Sequence, residues 1–168
     1  MYRFSDTPIW LRLTGVIWLM MVVAFGSMIA WETRVNRDMA IEQAKDFAGT
    51  VNEMTMAGLT GMMITGTVAQ RDVFLDQIKE LSVVQDLKVI RGSAVTQVFG
   101  DGGVATTGSD ADEQRALDAG QSTMRIEHDA AHGEHLRVVI PALASTAWLG
   151  KDCIACHQVP AGTPLGVV

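Results

Sequence analysis

The sequence predicts an α+β fold: an antiparallel sheet backed by helices, preceded by one membrane-crossing helix. Three observations predict it. An apolar run free of charge lies near the N-terminus; apolar residues then continue at helical spacing; and β-rich stretches bounded by Gly, Asp and Pro alternate with short helices in the second half. At 168 residues the chain has room for one domain plus an appendage. Its hydrophobic content of 48% is high for a soluble protein, and the excess sits mostly near the N-terminus.

The run LTGVIWLMMVVAFGSMIA, Leu13 to Ala30, is flanked by Trp10 and Trp31. A run of this length spans a hydrocarbon core, and tryptophans at both ends suit the interface. Arg12 is close enough to one end to reach headgroups. A cleaved signal peptide is the rival reading. Its apolar region would be shorter, and Met28 is bulky where a small residue is needed before Ala30. The uncleaved anchor is favoured, which divides the chain into a tip and membrane helix over residues 1–31 and a domain over residues 32–168. Arg3 and Arg12 before the helix nearly balance Arg34 and Arg37 after it, so charge alone leaves the orientation open.

Residues 32 to about 65 continue in helical register, with Phe47, Val51, Met54 and Gly58 forming the expected inward stripe. Gly66 can end this helix and Thr67 can cap the next, an amphipathic segment Val68–Leu81 carrying Phe74, Ile78 and Leu81 on one face. Leu87–Arg91 reads as a strand and Ala94–Phe99 as a short helical turn; residues 100–110 read as loop. Asp110–Ala119 reads as a helix with an acidic first turn. Met124–His128 and Glu134–Ile140 read as a hairpin turning at Asp129–Gly133, with Pro141 closing its second strand. Leu165–Val168 opens a further strand.

The net charge of −6 and the lack of a Lys/Arg cluster argue against a nucleic-acid partner. No catalytic constellation stands out. Asp110, Asp112 and Glu113 are explained by the helix dipole, and no Ser/His/Asp pattern, phosphate-cradling glycine loop or H-E-x-x-H occurs. The chain does not read as an enzyme.

The only two cysteines stand in Cys153-Ile154-Ala155-Cys156-His157. C-x-x-C-H is the spacing of covalent haem attachment, in which two thioethers hold the porphyrin and the imidazole becomes the proximal iron ligand. On a helical turn, positions i, i+3 and i+4 share a face, so both sulfurs and His157 can reach one macrocycle. A zinc site would need further ligands, and no second C-x-x-C exists. A thioredoxin-like pair would not require the histidine. One covalent haem c is therefore expected. Bacterial attachment of this kind takes place outside the cytoplasmic membrane, which places the residues after Trp31 in the periplasm.

Together with the N-terminal membrane helix and the ITGT break, the strings QIKELSVVQDLKVIRG, EHLRVVIPALAS and GKDCIACHQVPAGTPLGVV resemble the haem-c-containing periplasmic sensor domains of bacterial methyl-accepting chemotaxis proteins. The resemblance covers nearly all of the chain. It implies a PAS-like, Cache-related antiparallel sheet with long N-terminal helices, and a homodimer in the inner membrane. It also implies a domain cut short within its last strand, since a second membrane helix and a cytoplasmic signalling bundle would follow. The function implied is sensing of redox state or a small diatomic ligand for chemotaxis-type signal transduction. The alternative is a membrane-anchored monohaem cytochrome that passes electrons to a redox partner.

The sixth iron position decides between these chemistries. Met54, Met56, Met62 and Met63 are candidates outside the membrane, with Met62 and Met63 ahead, although methionines at helical spacing commonly fill a core. His128, His132 and His135 would line up on a helix as a zinc or copper site, but the hairpin pattern around Gly133 favours solvated turn histidines. Lys88, Arg91 and Arg137 are candidates to pair with haem propionates, or are surface strand charges.

Overall fold

The computed structural model describes residues 8–103, 108, 110–131 and 133–168. Arg3, His132 and loop positions 104–107 and 109 lie outside the described residues. The chain divides into two compact units, residues 1–44 and 45–168. The fold is α+β, with a long N-terminal helix and small antiparallel sheets.

Helix α1 spans Ile9–Thr65 and contributes to both units. In the first unit every described residue up to Ala40 is exposed, including Trp10, Trp18, Val22, Phe25 and Trp31. An apolar surface of this extent is unfavourable in water and suited to lipid. By length and composition this is a helix able to cross a membrane.

In the second unit, α1 turns a different face inward from the one its spacing predicts. Thr55 and Leu59 are buried, whereas Phe47 and Met54 are exposed and Val51 and Gly58 are half-buried. Small residues decide the face. The hydroxyl of Thr55 is satisfied within the helix by the carbonyl of Val51 at 2.7 Å, so it can be buried without an outside partner. Gly58 leaves room for the ring of Phe74, which any Cβ there would strike. The helix ends as predicted at Gly66, in the left-handed conformation at φ 71°. The amide of Thr67 donates to Met62 O at 2.9 Å and that of Gly66 to Met63 O at 3.4 Å, which closes the last turn.

Thr67 precedes the next helix but does not cap it through its side chain; its hydroxyl lies 2.8 Å from that of Thr65. The predicted helix Val68–Leu81 is a 3-10 turn, Val68–Gln70, followed by α2, Arg71–Lys79, leaving Leu81 outside. Strand β1 is only Ile90–Arg91, shorter than the predicted Leu87–Arg91. Its length is set by its partner β5, Pro164–Val167, through the pairs Ile90↔Val167 and Arg91↔Gly166. Helix α3, Ser93–Phe99, stops at Gly100, and α4, Ala111–Ala119, stops at left-handed Gly120.

Strands β2, Thr123–Asp129, and β3, Gly133–Val139, form the predicted hairpin. Pro141 does not close this strand run. It opens β4, Pro141–Leu143, after the single residue Ile140, and the chain passes from pairing with β2 to pairing with β5. Proline is tolerated there because it begins a strand at the edge of the β1-β5-β4 sheet, where its missing N–H costs no ladder bond. At the crossover, Ile140 and Val168 exchange both backbone bonds, at 2.9 and 3.0 Å. The core lies where α4 covers the sheet, with Ile90, Ala116, Val139 and Val167 buried and Leu117 packed on them.

The first turn of α4 is more than a dipole effect. Asp112 and Glu113 are buried and paired: Glu113 meets Lys88 at 3.0 Å and Arg137 at 2.9 Å, and Asp112 meets Arg125 at 2.7 Å. Asp110 caps the helix by accepting from the amides of Asp112 and Glu113 at 2.9 and 3.0 Å. Its carboxyl is held below the usual aspartate range, first by the Glu113 amide and then, against partial burial, by the Arg137 guanidinium and the Asp112 amide. A group more acidic when folded stabilises fully above its unfolded pKa, and this contribution is lost as pH falls through the folded value. Asp110→Ala is therefore expected to cost about 1 kcal/mol at neutral pH, the usual value of a cap. The loss should shrink below about pH 4, near the pKa of an unfolded aspartate. Urea titrations of parent and variant on both sides of that pH check it.

Candidate functional site

The C-x-x-C-H motif lies in the connection between the neighbouring strands β4 and β5. Both ends of this connection are tied to each other. The amide of Ala144 donates to Thr163 O at 2.9 Å and that of Gly162 to Ala144 O at 2.8 Å. The chain next makes a tight hairpin in which Trp148 and Lys151 exchange backbone bonds at 2.9 and 2.8 Å. Its two central residues, Leu149 and Gly150, are both left-handed at φ 46° and 75°, the conformation of a two-residue hairpin turn.

Helix α5, Cys153–His157, follows at once. Asp152 supplies its cap, accepting from the amides of Ile154 and Ala155 at 2.9 and 3.1 Å, and the amide of Cys153 is anchored on Ser145 O at 2.8 Å. Gln158, left-handed at φ 54°, ends the helix after a single turn. The sequence therefore gives what the motif needs: two thiols at i and i+3 and an imidazole at i+4 on one helical turn.

Cys153 is half-buried and Cys156 exposed, and neither is in a disulfide. His157 is buried, its ring edge-on to Phe99 of α3 with centroids 5.5 Å apart and planes at 82°. Its Nδ1 has no hydrogen-bond partner among the described residues. Burial holds the imidazole below the usual histidine range. Burial thus favours the neutral form, the one in which a histidine can ligate a metal. The donor set fits a covalently held haem: two free thiols, one exposed and one half-buried, and a buried imidazole on the same helical turn. Cys153, Cys156 and His157 are the residues that would hold it.

The other sequence candidates are distributed differently. Met54 and Met63 are exposed, and Met56 and Met62 half-buried, all on α1. Lys88 and Arg137 line a cleft of about 480 Å³ with Glu113, Glu127, His135 and Val168, and the motif forms no part of its lining. Both cations there face carboxylates: Lys88 meets Glu113, while Arg137 meets Asp110, Glu113 and Glu127. Arg91 alone of the three is next to the motif's surroundings. Its Nη1 donates at 2.5 Å to the carbonyl of Gly100, the residue after Phe99.

His128 is exposed, and His135 lies 3.8 Å from Glu127 and 3.7 Å from Asp129. Among the described residues no three His, Cys, Asp or Glu side chains gather as for a metal ion, and His132 is not among them. Two residues that position the motif escape sequence reading. Asp152 had a signal, an Asp directly before a helical turn. Phe99 had none, because the chain separation between it and His157 carries no pattern.

No protein-family model, curated protein or solved structure matches this chain.

Proposed function

We propose that this chain is a membrane-anchored sensor module carrying one covalent c-type haem on Cys153 and Cys156, with His157 as the proximal iron ligand. The observation that carries the reading is helix α5, one capped turn bearing two free thiols and a buried imidazole. Its stimulus is redox state or a small diatomic ligand, read out as chemotaxis-type signalling. The domain is a PAS-like, periplasmic one on an inner-membrane anchor, and it works as a homodimer. The apolar stretch of α1 supports the membrane anchor, and the small antiparallel sheets under α4 support an α+β domain.

When bound, haem would supply an iron centre that changes oxidation state and accepts a sixth ligand. The chain's own parts do the rest. Phe99 restrains the plane of the His157 ring, and the Asp152 cap and the Cys153–Ser145 bond hold α5 in place. Met62, Met63 or Met54 would be the candidate side chains to supply a thioether to such an iron. The helix segment bearing them would then take one position when its methionine ligates and another when it does not. Such a switch needs a difference in free energy between the two states, and gain or loss of a ligating bond supplies one. The same helix carries the apolar stretch, so a displacement has a continuous backbone to follow.

Reduced-minus-oxidised spectra of the full chain exported to the periplasm, with and without NO, test the proposal. Colour that survives acid–acetone extraction and a reduced form that takes NO are expected. A colourless product overturns the haem assignment. A haem that stays low-spin and never binds NO overturns gas sensing and favours the second reading, an electron-transfer cytochrome.

A further inference from the structure

Two guanidinium groups converge on the turn that follows Phe99. The Nη2 of Arg71, at the start of α2, donates to the carbonyl of Gly102 at 2.8 Å, and its side chain is only 14% exposed. Arg91, from β1, donates through Nη1 to Gly100 O at 2.5 Å. It also lies over Gly102, where an added Cβ would stand 2.8 Å from Nη1 and 2.9 Å from Nη2. Gly102 is left-handed at φ 58° as well, so both its conformation and its lack of a side chain are required for Arg91 to rest there.

These two arginines differ from the domain's other paired cations. Lys88, Arg125 and Arg137 are each neutralised by carboxylates around α4. Arg91 has no carboxylate partner among the described residues; its hydrogen bond goes to a backbone oxygen. Arg71 has one carboxylate neighbour, Asp72, which is 73% exposed and 3.4 Å from Nε. Asp101, within the turn, accepts from the amide of Gly103 at 3.3 Å. A guanidinium carries five N–H donors in a planar fork suited to a carboxylate, and among the described residues each of these two makes a single hydrogen bond.

We propose that Arg71 and Arg91 are a carboxylate-binding pair that holds the propionates of a haem attached at Cys153, Cys156 and His157. The inference rests on the haem reading and deepens it. Two carboxylates need two compensating cations, and the arginine-bearing turn continues directly from the aromatic ring that touches His157. Lys88 and Arg137 are excluded from this role because their charge is already answered by Glu113, Asp110 and Glu127.

The test is the reduction potential of the full-length holoprotein as a function of pH, in the parent, Arg71→Gln, Arg91→Gln, the double glutamine variant and the double lysine variant. A cation beside a propionate offsets its negative charge and favours ferrous iron. Removing it should lower the potential in each glutamine variant, most in the double one. An uncompensated propionate also takes up a proton more readily, so the potential should now rise as pH falls through the weakly acidic range. The lysine pair should restore most of the parent value. Gly102→Ala, which keeps both charges but displaces Arg91, should reproduce the Arg91→Gln shift. Covalent haem in the parent and double glutamine variant, equal thermal midpoints, and superimposable potential–pH profiles would overturn the inference while leaving the haem reading intact. A parent chain without covalent haem overturns the haem reading itself. Should the glutamine variants fail to fold, Gly102→Ala and the lysine pair decide the matter by the same profiles.

Discussion

The double variant Cys153→Ser/Cys156→Ser is expected to leave the periplasm at the mass of its polypeptide alone, without colour, where the parent gains the mass of one haem. Serine is close to cysteine in size but cannot form a thioether under these conditions. Because Cys156 is exposed, Cys153 only half-buried, and neither is in a disulfide, the exchange removes no core packing. Surface changes of this sort usually shift stability by no more than about 0.5 kcal/mol. The thermal midpoint of haem-free parent and variant should therefore coincide, which separates loss of attachment from loss of fold. Each single serine variant should retain one bond at most, with lower yield of coloured protein. Intact mass spectrometry reads all of these outcomes. A parent that also carries no added mass would end the proposal.

Ile90→Ala should produce the largest loss of stability of any single truncation in this domain. Ile90 is 1% exposed, is among the largest side chains fully buried, and pairs directly with Val167 at the centre of the small core. Truncating a buried isoleucine to alanine costs about 2–5 kcal/mol, through lost transfer free energy and the cavity left behind. That is a large share of the ~5–15 kcal/mol by which typical domains are stable. Gly166→Ala should weaken the same junction by a different route. An added methyl there would sit 2.6 Å from the carbonyl oxygen of Ile90, and a backbone atom cannot rotate away. Urea unfolding midpoints, with unchanged slopes, check both. A loss below about 1 kcal/mol for Ile90→Ala would mean that the β1–β5 junction is not where the domain's stability resides.

Which features were legible in the sequence depends on how far apart their determinants lie. The C-x-x-C-H turn was readable because all its parts fall within five consecutive residues. Helix ends were readable where one residue fixes them, as with Gly66, Asp110 and Gly120. The hairpin followed from alternation on both sides of a turn. Features set by a distant partner were not readable. The length of β1 depends on β5, and the inward face of α1 on Phe74 and on which small residues allow close approach. Pro141 looked like a stop because its missing N–H is local information, whereas the edge that tolerates it is not. Lys88 and Arg137 could be named as cations seeking carboxylates, but only the fold shows that they find them on α4. For the same reason Phe99 stayed invisible beside His157.

The passage of the chain through Ile140 has a consequence for cooperativity. A single strand leaves one partner and takes the next within a residue, so the hairpin and the three-stranded sheet share one backbone. Fraying at Ile140, which exchanges two backbone bonds with Val168, would therefore loosen the adjoining end of both. The connection carrying α5 is suspended between two neighbouring strands, so the C-x-x-C-H turn is held at both ends by the sheet rather than by its own five residues alone.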